Sequence, residues 1–115
     1  MKFHKLLIIF FVFLFPEFSL ANCWVNDVSK YHVSAVSYQA TGVVTFHISE
    51  ASSKLFVYQF SPSDPVAFAN AKTMLSILLM AKLTGNEIAI LLSGNDCTVD
   101  LTDGEWQDYI GIQIY

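Results

Sequence analysis

Apolar and polar positions divide the chain into five β-rich runs and one long helix. Residues 31–38 are rich in β-branched and aromatic side chains and alternate in part, and Ala40-Thr41-Gly42 supplies a turn. The run 43–49 alternates cleanly, with Val44, Phe46 and Ile48 on one side and Val43, Thr45 and His47 on the other. Glu50-Ala51-Ser52-Ser53 reads as a polar loop, and 55–60 as a third strand ended by Pro62 and Pro65. The helix spans Asp64 to Gly85: Asp64 is a capping side chain, Pro65 suits the first turn, and Gly85 is a left-handed stop. Residues 87–92 form a fourth strand, 99–101 a short extension, Asp103-Gly104 a turn and 109–114 the last strand.

That order, β-β-β-α-β-β, predicts a mainly β fold with one helix, in the manner of a small OB-type barrel. In that barrel the helix plugs the end between strands three and four. An open α+β sheet fits less well, because five strands around one helix need closure to hide their edges.

The helix is apolar almost all the way round. At 100° per residue, Phe68, Ala71, Leu75, Leu78, Leu79 and Leu83 share one broad face, which predicts the side packed on the sheet. The other side carries Val66, Met74, Ile77, Met80 and Ala81, diluted only by Asn70, Thr73 and Ser76. A small domain has little protein with which to wrap a second apolar face, so these five residues are predicted to contact another copy of the chain.

The first residues read as an export signal. Met1-Lys2-Phe3-His4-Lys5 is basic, residues 6–15 are an unbroken apolar run, and Ser19-Leu20-Ala21 places small residues before a cut. A membrane span needs roughly 18 to 20 apolar residues, and Pro16-Glu17 interrupts well before that. Cleavage after Ala21 predicts an exported, periplasmic or secreted chain, with 22–115 as one OB-fold-like domain and no membrane insertion after the cut. Lipoprotein processing is the alternative, since Leu20-Ala21-Asn22-Cys23 resembles a lipobox, although Asn22 is bulky for that site.

Cys23 and Cys97 are the two cysteines. In an oxidising compartment an even pair in a small chain predicts a structural disulfide. Neither has the Cys-x-x-Cys spacing or histidine pair of a metal site, so no metal or other cofactor is expected. Beyond residue 21 there are four lysines, no arginine and nine acids, a net charge of −5. This excludes nucleic acid, which is bound by clustered cations, and disfavours anionic membrane surfaces. Five of the acids lie between Asp96 and Asp108, where a solvated acidic hairpin is expected. Leu101 stands where a calcium loop needs an oxygen ligand, and no serine sits in a Gly-x-Ser-x-Gly elbow. No catalytic constellation is evident. Exposed Trp and Tyr rings suit sugar recognition, but Trp24 and Trp106 read as packing residues.

The stretch Ala71-Lys72-x-Met74-Leu75-Ser76-Ile77-Leu78-Leu79-x-Ala81-Lys82-x-Thr84-Gly85-x-Glu87-Ile88 leads into a strand and a loop closed by Cys97. Trp106-x-x-Tyr109-Ile110-x-Ile112-x-Ile114 follows. The arrangement resembles small exported OB-fold proteins related to the receptor-binding B subunits of AB5 toxins, the subtilase cytotoxin and pertussis-like branch in particular. That resemblance implies a ring of five with the helix towards the central pore, and an A-subunit-like protein partner. It also implies sialylated-glycan binding near the start of the first strand, which here is Tyr31, His32 and Ser34. Two function classes follow: an oligomeric, non-catalytic glycan-binding module, or a periplasmic accessory protein that docks a protein partner and has no glycan site.

Overall fold

A computed structural model of the chain describes residues 22–115, and the predicted export signal lies outside the described residues. The fold is mainly β with one helix. In chain order it comprises β1 (Asn22–Trp24), a 3-10 turn (Val25–Asp27), β2 (Val33–Gln39), β3 (Val43–Ile48) and β4 (Ala51–Gln59). Then come α1 (Pro65–Thr84), β5 (Ile88–Ser93), β6 (Trp106–Asp108) and β7 (Gly111–Ile114).

The strands form two sheets, ordered β1-β5-β7 and β2-β3-β4-β6, rather than the one closed ladder expected. Every pairing is antiparallel except β4 with β6. The segment 106–114 ties the sheets together. It runs beside β4 as β6, crosses at Tyr109 and Ile110, and continues beside β5 as β7. Tyr109 N–H donates to the Val57 carbonyl at 3.1 Å and Ile110 N–H to that of Leu91 at 2.9 Å, so the crossover bonds to both sheets. A second link is the bridge Tyr31–Ile88, closed by reciprocal backbone bonds of 3.1 and 2.8 Å. Beyond it β2 diverges from β5, and α1 packs against β2, β3 and β7 instead of a further strand pairing.

The core follows from the alternation in β3, whose Val44, Phe46 and Ile48 are buried. Phe46 stacks on Phe56 at 5.0 Å and meets the edge of Tyr109 at 4.9 Å. Each such ring contributes roughly 1.5–3 kcal/mol by leaving water. The Tyr109 hydroxyl donates to the Val44 carbonyl at 3.2 Å, and its burial pushes its pKa upwards. Gly42 shapes the β2–β3 turn: its φ is +129°, and a Cβ there would run into the Phe60 carbonyl. Phe60 N–H instead donates to the Gly42 carbonyl at 2.9 Å.

Cys23 and Cys97 form the predicted disulfide, with 5.8 Å between their Cα atoms. A bond of this kind belongs to an oxidising compartment. Asn26 reinforces the same junction. Its side chain accepts from Val99 N–H at 2.8 Å and donates to the Val99 carbonyl at 3.1 Å, while its own N–H donates to the Cys97 carbonyl at 2.9 Å. Both Asn26 (φ 52°) and Asp27 (φ 54°) are left-handed. Asn and Asp tolerate that conformation better than other side chains do.

Candidate functional site

Three surfaces bear on function. The first is the start of β2. Tyr31 is only 4% exposed and joins the core cluster, so its ring is not available to a ligand, contrary to the sequence-based expectation. The cause is the Tyr31–Ile88 bridge, which turns the residue inward where the two sheets meet. His32 lies between core residues Tyr31 and Val33 and faces outward, and Ser34 is exposed. His32 Nδ1 lies 2.6 Å from Glu50 Oε2, and His32 N–H donates to Glu50 Oε1 at 2.9 Å. The bond to Glu50 raises the His32 pKa above 6.5, outweighing partial desolvation, and Glu87 adds a smaller push. For Glu50, burial acts upwards, but the bonds from His32 prevail and hold the carboxyl below its usual range. This corner is a clasp between β2 and the β3–β4 turn. Of the three predicted ligand residues, only His32 and Ser34 remain at the surface.

The second surface is the outward side of α1. The helix is capped as its sequence predicts: Asp64 accepts from the N–H groups of Val66 and Ala67, and Gly85 takes the left-handed stop at φ 74°. Its buried stripe is Ala71, Met74, Leu78 and Ala81, at heptad spacing, flanked by the partly buried Ala67, Phe68 and Leu75. Met74 and Ala81 are therefore core residues, not residues of an outer contact face. Conversely, Leu79 and Leu83 are exposed, Leu83 at 86%. The outward apolar residues are Val66, Leu79, Met80 (57% exposed) and Leu83, with Ile77 half-buried at the boundary. A helix apolar on all sides offers no contrast from which its rotation can be read. Here the small Ala71 and Ala81 let that stripe approach the strands closely. By length and composition α1 is apolar enough to cross a membrane, yet this stripe is built into the chain's own core.

The third surface is the acidic loop between β5 and β6. It is a succession of Asx turns: Asp96, Asp100 and Asp103 each accept from the N–H two residues on, at 3.1, 2.9 and 2.9 Å. The Thr98 N–H lowers the pKa of Asp96, the Thr102 hydroxyl (2.6 Å) and then its N–H lower that of Asp100, and for Asp103 the main cause is Lys54. Lys54 is buried, and its Nζ donates to Asp103 Oδ1 at 2.6 Å. The loop is thus pinned to β4, a contact with no signal in the sequence because its partners lie 49 positions apart. Trp106, expected to pack, is 71% exposed just beyond this loop. A crevice of about 120 Å³ beside the disulfide is lined by Trp24, Asn26, Asp27, Asn95 and Asp96 among others. Among the described residues, no group of three His, Cys, Asp or Glu side chains is placed to hold a metal ion.

No protein-family model matches the chain, and no curated protein matches it either.

Proposed function

We propose that the chain is an exported, non-catalytic binding protein that assembles with copies of itself and recognises glycans at a cell surface. In this reading it has an OB-type barrel and resembles the ring-forming B subunits of AB5 toxins. The barrel reading is supported by a three-strand meander, then a helix, then a final segment parallel to β4 and antiparallel to β5. Assembly is supported by one observation above the others, the outward side of α1. Leu79, Met80 and Leu83 stand on neighbouring turns and are exposed, a placement that favours a partner over water.

A second copy is the partner that charge favours. The only charges within α1 are Lys72 and Lys82, whereas five acids gather on the segment 96–108. Lysines on one element and acids on another suit a head-to-tail contact, which closes into a ring when the rotation allows. The second reading, an accessory protein that docks a protein partner and has no glycan site, gains weight from the burial of Tyr31. Native mass spectrometry of residues 22–115 tests the assembly. A ladder ending at a defined multiple of the protomer is expected, and a protomer alone at micromolar concentration would remove the proposal.

A further inference from the structure

The outward side of the β2-β3-β4-β6 sheet carries a feature that the B-subunit resemblance does not assign. Phe56 and Tyr58 of β4 turn inward onto Phe46, Phe60 and Tyr109. Their alternates Val57 and Gln59 therefore point to the other side of the sheet, since successive strand residues alternate; there Val57 is covered (2% exposed) and Gln59 is exposed. The register sets Val57 beside Thr45 on one flank and Asp108 on the other, with Trp106 next to Leu55 one step along. Where the chain leaves β6 for β7 the strands diverge, opening a concavity of about 270 Å³. Val57, Gln59, Asp108 and Ile110 line it, together with Tyr58 and Tyr109.

Resting on the glycan-binding reading above, we infer that this side of the sheet binds a neutral saccharide. One ring sits in the concavity against Ile110, which is 41% exposed, Asp108 and Gln59 take its hydroxyl groups, and the next ring stacks on Trp106. Whole ligands usually fill pockets of roughly 300–1,000 Å³, so a slightly smaller hollow suits a single ring of a longer chain. The face of Trp106 is free to stack, a geometry that sugar rings match. Among the described residues no cation pairs with Asp108, which leaves its carboxylate open to accept from hydroxyl groups. Glu105 and Asp108 flank Trp106 and form no ion pair among the described residues, since the neighbouring Lys54 is taken by Asp103, so their carboxylates would repel that of a sialic acid. The ligand is accordingly neutral and hydroxyl-rich, not sialylated.

The test is a glycan array carrying neutral and sialylated glycans, probed with the wild-type chain, Trp106→Ala and Asp108→Asn. Both positions are exposed, so both variants should retain the wild-type circular dichroism and melting temperature. Binding to neutral glycans that falls at least tenfold in each variant is the expected result. Binding of any glycan that survives both substitutions would place the site elsewhere and overturn this inference while leaving the glycan reading intact. A folded wild-type protein that binds no glycan would overturn both.

Discussion

His32 and Glu50 report on their clasp through its pH dependence. His32 has a folded-state pKa above 6.5, so its contribution to stability is complete below that value and is lost as pH rises through the raised pKa. Glu50 has a folded-state pKa below 4.5, so its contribution is present above that value and is lost as pH falls through the lowered pKa. The clasp therefore holds best between pH 4.5 and 6.5. An NMR titration of the His32 ring should show its pKa falling towards 6.5 in Glu50→Gln, and an unchanged value would refute the pairing. Lys54 and Asp103 differ because the ammonium is buried and the carboxylate is partly solvated. Lys54→Met should be close to neutral in urea denaturation, since an apolar chain fills the space and Asp103 rehydrates. Asp103→Ala leaves the ammonium uncompensated and should cost clearly more; the reverse order would contradict the contact. Asn26→Ala removes both bonds to Val99 and puts a poorer residue at φ 52°. The same denaturation should show a loss of about 2–3 kcal/mol.

At the scale of the elements, the decisive question is which way α1 faces. Leu78→Ala should cost about 2–5 kcal/mol, because it leaves a cavity among buried neighbours. Leu83→Ala should stay within about 0.5 kcal/mol for the protomer. Equal costs would mean the helix is rotated from the position described. Its ends were legible in the sequence because Asp64, Pro65 and Gly85 act locally through caps and backbone angles. The rotation was not, because it depends on which strands the apolar surface meets. The same division runs through the sheets. The clean alternation of β3 gave its limits closely, whereas β1 and β6 have three residues each, too few for a period. The expected polar loop at 50–53 is largely strand, since Ala51 pairs with Ile48. The last strand, expected over 109–114, begins only at Gly111, because Tyr109 and Ile110 carry the chain from one sheet to the other. The strand before them at Trp106–Asp108 was not expected. Of the candidate glycan patch, His32 and Ser34 lie at the surface and Tyr31 does not, because the bridge that buries Tyr31 is a long-range contact with no local signature.

For the whole molecule, the Cys23–Cys97 bond closes a loop across 74 positions. On the chain-entropy model it contributes roughly 4 kcal/mol, a large share of the 5–15 kcal/mol typical of a domain. Replacing both cysteines by serine should remove about that much in chemical denaturation, and a loss below about 1 kcal/mol would show that Asn26 and the sheet hold the junction unaided. Assembly is the property on which the functional account turns, and sedimentation equilibrium tests it most directly. The measurement compares residues 22–115 with the Met80→Glu/Leu83→Glu double variant, whose changes lie on the outward side of α1. A wild-type mass at a multiple of the protomer, falling to the protomer in the variant with its circular dichroism preserved, is the predicted result. A wild-type protomer, or an assembly indifferent to both charges, would contradict it.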